Sequence, residues 1–331
     1  MAALTLFVIL LVSYCLTRLA PGDPTKSSML GDGGAATSGL ASDRAALAKN
    51  QSMREKLHLD KPIIVGFGLW MKGLLLHGDL GSSVSVDKGR PVLDIILERL
   101  PVTMRLNIIS IVMTYLLAVP IGIWTALRPG GLFDKQSAFL MMLLFSLPAI
   151  WVALMLQVSL CRGGWLPLFP LKGLLPDLPE GVSTWDILRL TTMQYVLPVV
   201  CLTYGNFAAL ARFTRGGMLD VVRQDYIRTA RAKGASEASV ALKHALRNAM
   251  IVMITLFAGI LPSLVAGSIF TEYIFGIPGM GSLSMLALSS RDIPLLMALF
   301  AFGGALTLAG ILLSDVLYVL ADPRISFESR V

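Results

Sequence analysis

Six stretches of this chain contain no aspartate, glutamate, lysine or arginine: 1–17, 106–127, 136–161, 190–211, 248–271 and 293–314. An α-helix rises about 1.5 Å per residue, so about 20 residues cover the hydrocarbon layer of a bilayer. Five of the runs reach that length. The first has 17 residues and reaches it by continuing past Arg18, whose long stem can carry its charge outward. Composition points the same way. Hydrophobic residues make up 55% of the chain and charged residues only 15%, against about 25% charged in soluble domains. A disordered chain is excluded, and so is a globule whose surface meets only water. The expected fold class is an all-α integral membrane protein with six transmembrane helices.

Residues 273–290 are also free of charge, but Gly276, Pro278, Gly279 and Gly281 fall within six positions. Bare backbone in lipid leaves polar groups unpaired, so a loop or re-entrant turn is expected there rather than a seventh span. Pro120, Pro148, Pro198 and Pro262 lie inside spans, where each frees a backbone acceptor and bends its helix. Uncharged polar residues in the spans, among them Asn107, Thr114, Gln157, Gln194, Thr203, Tyr204, Asn206 and Ser263, serve either a wet path or bonding between helices.

Basic residues set the orientation. With the N-terminus inside, segments 127–136, 212–247 and 321–331 face the cytoplasm and hold 12 Lys and Arg, whereas the short outer segments 162–189 and 272–292 hold 4. Both termini are therefore expected to be cytoplasmic. The first run lacks a basic start and a small-residue cleavage site, and reads as a retained span rather than a cleaved leader.

The long segment after the first span is expected to form a small outer domain. GDGGAATSG at 31–39 is flexible in composition. Ser42 caps a helix to about Leu57, and Pro62 opens a second through about Leu76. Pro91 opens a third, which Pro101 ends. The 212–247 loop has eight basic residues, three acidic ones and His244. Before Gly234, Leu219 to Lys233 reads as a helix with Arg228 and Arg231 on one face. After it, Ser236 caps a second helix with Glu237 in its first turn. From these residues alone the loop is either a helical topology anchor or a docking element for a soluble partner.

Chemistry is scarce. There is no GxxxxGK[ST] loop for nucleotide phosphates, no HExxH pair and no GxSxG elbow. His58, His77 and His244 all lie outside the spans, and no span holds the ionisable pair that ion-coupled carriers place at depth. Cys15, Cys161 and Cys201 are too far apart to suggest a disulfide framework or a metal set. No catalytic and no metal-ligating residue is predicted.

At this point motifs become decisive. LAPGDP at 19–24, GDLGSS at 78–83, ERLPVTMRL at 98–106, DYIRTARAKGAS at 225–236, HALRNA at 244–249, FGIPGMG at 275–281 and DPR at 322–324 run nearly end to end. The chain resembles the permease subunits of binding-protein-dependent ABC importers of the dipeptide/oligopeptide group, in particular the B-like member of the pair. It departs from the general importer motif in two places. Arg228, Thr229 and Ala230 stand where Glu-Ala-Ala is usual, and Leu246 and Arg247 where Leu-Pro is usual, both as in the peptide-type subgroup.

The resemblance implies a type I importer permease fold with a first span at 1–20, an extracytoplasmic insert at 21–101 and a core permease domain at 102–331. It implies a cytoplasmic coupling helix between the fourth and fifth spans, with ATPase-coupling residues Asp225, Tyr226, Arg228, Thr229, Ala230, Arg231, Ala232, Lys233, Gly234, Ala235 and Ser236. It implies an outer gate or binding-protein contact at Phe275, Gly276, Pro278, Gly279 and Gly281. The implied partners are a second homologous permease, two ABC ATPase subunits, an extracytoplasmic substrate-binding protein and the lipid bilayer, without nucleic acid. No cofactor is expected on this chain, with ATP and Mg held by the ATPases. Peptides are the implied substrates, although members of the group also carry nickel, glutathione or oligosaccharides. A stand-alone secondary carrier or channel is the alternative.

Overall fold

A computed structural model describes residues 2–19, 51–52, 54–55, 57–161, 163–170, 183–246, 249, 264 and 267–321. The 31–39 stretch, Ser42, DPR at 322–324, Pro262, Ser263 and most of the 248–271 run lie outside these residues. Those described are overwhelmingly helical, and extended pairing among them is limited to two isolated bridges.

The helices are α1 (Ala2–Leu19), α2 (Ile63–His77), α3 (Val92–Leu127), α4 (Leu132–Ser146), α5 (Ala149–Leu160), α6 (Thr184–Val222), α7 (Asp225–Ala232), α8 (Glu237–Ser239, running into a π-helical turn at Val240–Leu246), α9 (Ile269–Phe275), α10 (Met280–Ser290) and α11 (Ile293–Ala321). By length and composition α3, α6 and α11 can each cross a membrane, and the α4–α5 pair can supply a bent crossing. Large apolar side chains such as Leu116, Phe139 and Phe145 are exposed on these helices. In water they would be a liability; on a multi-pass membrane protein they meet lipid.

Two sequence expectations need correction, and a third is sharpened. Pro101 does not end a short helix: α3 runs through it from Val92 to Leu127. A proline interrupts only the bond its missing N–H would have made, and good helix formers on both sides carry the rod onward. The bend expected at Pro148 is sharp: α4 and α5 meet at 94° across Leu147 and Pro148. The residue before a proline is driven out of the helical region, and Leu147 is extended at φ −80°, ψ 126°. Tyr204 of α6 donates its hydroxyl to the carbonyl of Leu147 at 3.0 Å, supplying a partner at the break. Finally, the 273–290 segment is not a loop throughout, since α9 and α10 flank a short Gly-Pro turn. At 11 residues α10 is too short to span.

The chain divides into two compact units. One comprises residues 1–101 and 282–308, the other 102–281 and 309–331. In the first, α2 packs on α1 through Phe67, whose ring meets those of Phe7 and Tyr14 at 5.5 and 5.6 Å. Ile293 and Met297 of α11 close this cluster. In the second, α4, α5 and α9 pack around α6, with Leu106, Ala153, Leu197, Phe275 and Ile277 forming one core. Asn107 donates to the Leu264 carbonyl at 3.0 Å and Gln157 to the Ile274 carbonyl at 2.7 Å. At these positions, uncharged polar residues bond between segments.

The approach of α3 to α6 depends on Gly122. A Cβ there would stand 2.5 Å from Thr214 Cβ and 2.9 Å from the Ala211 carbonyl oxygen. Gly122→Ala is expected to push the helices apart and lower stability by about 1–3 kcal/mol, read as thermal unfolding in detergent. A second change, Thr214→Gly, should recover much of the loss.

Candidate functional site

The expected helix from Leu219 to Lys233 is interrupted. α6 ends at Val222, and Arg223 and Gln224 turn the chain before α7 begins. This break lets α7 leave the axis of α6 and present two different faces. Ile227 is fully buried against Ala126, Met218, Val240 and Ala245. Asp225, Tyr226, Arg228, Thr229, Arg231, Ala232, Lys233, Gly234 and Ser236 are exposed, and Ala230 and Ala235 are half-buried. The residues selected from sequence thus form one contiguous outward surface, hung on a buried isoleucine that the motif comparison passed over.

Gly234 has φ +81° with open space around its missing Cβ, so glycine is required there by backbone conformation alone. The reversal brings Ser236 to its place as the cap of α8, where its hydroxyl accepts from the Ser239 N–H at 3.3 Å. It also brings Glu237 back to Arg231. The guanidinium donates through Nε at 2.9 Å and Nη2 at 3.1 Å to the two carboxylate oxygens. Arg228 faces Asp225 at 3.5 Å. Both arginines expected on one face, Arg228 and Arg231, are therefore already paired within the loop. The Arg231–Glu237 pair spans a six-residue separation that no helical spacing rule would connect.

A second bidentate pair braces the same unit. Arg215 of α6 donates to Asp134 of α4 through Nε at 2.7 Å and Nη2 at 2.9 Å, and the Gly130 N–H adds a third bond at 2.9 Å. Asp134 is nearly buried while Arg215 reaches solvent.

The Gly-Pro turn is arranged differently from expectation. Gly276 caps α9 in the left-handed region at φ +65°. Phe275, Gly279 and Gly281 are buried, leaving Gly276 and Pro278 partly accessible. The interior of this turn holds Glu272, which is 0% exposed. Its Oε1 accepts from the Thr103 hydroxyl at 3.0 Å, and its Oε2 from the Gly281 N–H at 2.7 Å. Thr103 in turn accepts from the Met280 N–H at 2.7 Å.

The first unit contains a comparable arrangement in GDLGSS. Asp292, also 0% exposed, accepts on one oxygen from the Ser83 hydroxyl and from the N–H groups of Val84, Ser85 and Val86 at 2.9–3.1 Å. Its other oxygen receives the Leu295 N–H at 3.3 Å, in the first turn of α11, where the helix dipole favours a negative charge. The loop so held walls a cavity of about 760 Å³ that Tyr14, Trp70, Pro294 and Met297 also line.

Residues 118–327 match the family described as binding-protein-dependent transport system inner membrane component. The chain is 34% identical to the oligopeptide transport system permease protein AppB of Bacillus subtilis over 320 residues, covering 96% of this chain and 94% of that one. It is 36% identical to the oligopeptide transport system permease protein OppB of Mycobacterium tuberculosis over 318 residues, covering 95% and 93%. A family match across more than half the chain, full-length relatives at this identity and the apolar helices agree. The chain belongs to the binding-protein-dependent inner membrane components and is a multi-pass permease subunit of an ABC importer, a transport subunit rather than an enzyme.

Proposed function

We propose that this permease is one of two homologous subunits that together line the path of a peptide importer. Di- and oligopeptides are the substrate class, in keeping with the names of its relatives. Six helices cross the membrane: one within 1–20, followed by the extracytoplasmic insert at 21–101, and five within the core domain at 102–331. Both termini face the cytoplasm, as the distribution of lysine and arginine favours. Two ATPase subunits hold ATP and Mg, and a soluble binding protein delivers substrate from outside.

The observation that carries this reading is the geometry of α7 and α8. An exposed polar surface from Asp225 to Ser236 hangs on buried Ile227, and Gly234 and the Arg231–Glu237 pair fix its angle to the next helix. Such an element can enter a groove on an ATPase and pass its movement to α6 without itself deforming. A partner shifts the spans only through contacts that differ between the two states, and a stiff handle preserves that difference. At the other end, Phe275, Gly276, Pro278, Gly279 and Gly281 shape an outer gate through their backbone rather than as a contact surface.

Replacing Gly234 with valine tests the coupling. A β-branched residue at this φ carries about 1–3 kcal/mol of backbone strain, and its Cβ meets nothing within 4 Å. The expected result is an assembled complex whose ATPase no longer responds to the binding protein and whose import is lost. Full import by the valine variant would refute the assignment. Import that survives ATP depletion would point to a stand-alone carrier instead.

A further inference from the structure

Buried carboxylates on this permease invite a closer look, because a charge withdrawn from water is retained only where donors replace its solvation. Glu272 has those donors. The Met280 N–H donates to Thr103 Oγ1, the Thr103 hydroxyl donates to Glu272 Oε1, and the Gly281 N–H donates to Glu272 Oε2. The helix α3 and both sides of the Gly-Pro turn are thereby tied through one side chain. The space is cut to fit it. A Cβ on Gly267 would stand 2.5 Å from Glu272 Oε1, and a Cβ on Gly279 would press on Glu272 Oε2 and Thr103 Oγ1 together. A glycine on either side thus leaves room for the carboxylate alone.

We propose that Glu272 and Thr103 are positioning residues for transport: a latch that holds the Gly-Pro turn in register with α3, so that movement of the spans is delivered to the turn. The inference rests on the permease reading above. The chemistry of the latch is selective. Both carboxylate oxygens act as acceptors, so the ionised form satisfies the Thr103 hydroxyl and the Gly281 N–H together. Glutamine has the same size but only one oxygen. Its amide either confronts the Gly281 N–H or leaves the Thr103 hydroxyl without its acceptor. Valine at 103 keeps the shape of threonine and removes the central member of the relay, so the Met280 N–H loses the Thr103 acceptor. Serine keeps the hydroxyl and loses only a methyl.

The test uses the complete importer, reconstituted with its second permease, ATPases and binding protein, and compares wild type, Thr103→Ser, Thr103→Val and Glu272→Gln. Basal ATPase, binding-protein-stimulated ATPase and peptide uptake are measured on each. Thr103→Ser should match wild type within about twofold, while Thr103→Val and Glu272→Gln keep basal turnover but lose stimulation and uptake by about tenfold, as expected of a buried donor left unmade. Three outcomes would overturn the latch: Thr103→Val behaving like Thr103→Ser, basal and stimulated turnover falling in equal proportion, or a Thr103→Val complex that does not assemble. The last two would make the pair a folding element only. A wild-type complex with no binding-protein stimulation would instead refute the proposed coupling to ATPases and binding protein on which the latch depends.

Discussion

Asp292→Ala will unfasten the 81–90 loop from the start of α11. The carboxylate is fully buried and receives the Ser83 hydroxyl, three consecutive loop N–H groups and the Leu295 N–H. Each buried donor left without a partner costs about 1–3 kcal/mol, and here several lose their partner at once. The expected result is a chain with a markedly lower unfolding temperature in detergent and a new site of limited proteolysis between Gly81 and Arg90. Asp292→Asn should lie between the two, since one amide oxygen can keep part of the set. The cavity walled by this loop would open with it. An alanine variant with wild-type melting and the wild-type cleavage pattern would show that the carboxylate is dispensable.

The second large effect concerns Ile227. It is the buried foot of α7, enclosed by Met218, Val240 and Ala245. Truncation to alanine removes most of a core side chain, a loss of about 2–5 kcal/mol in comparable settings. Aspartate adds a charge with no counter-ion in that apolar cluster, which is more unfavourable still. Ile227→Asp should therefore release α7 from α6 and α8 while leaving every exposed residue of the 225–236 surface unchanged. ATPase subunits are expected to stop co-purifying with the variant, and uptake to vanish. Ile227→Val is the contrasting control. It keeps an apolar foot under α7 at a loss of about 0.5–1.5 kcal/mol, so ATPase recovery should stay near wild type. Normal ATPase recovery with Ile227→Asp would contradict this account.

How far these features could be read from sequence differs from residue to residue. Gly234 was legible, because a glycine between two amphipathic runs implies a reversal whatever surrounds it. Ser236 was legible for the same reason, since capping is a local matter. Pro101 was misread. A proline ends a helix only when nothing beyond it favours resumption, and here 102–127 is strongly helical. Pro148 signalled a bend, but the 94° turn also depends on what α4 and α5 pack against. The pairing of Arg231 with Glu237 needed the reversal to be built before the two could meet.

The acids show the limit most sharply. Glu272, Asp292 and Asp134 look like ordinary loop or helix-end carboxylates in the sequence. Each finds a side-chain partner far along the chain, at separations of 169, 209 and 81 residues.

That this chain lives in a membrane, where its apolar runs lie and which loop carries the basic charge can all be read from residue order. Transfer of side chains from water to lipid is additive along the chain and needs no knowledge of neighbours. Which carboxylates are buried, and what they fasten, emerges only once the helices are packed. A hydrogen bond exists only once two distant groups are brought within about 3 Å in the right orientation.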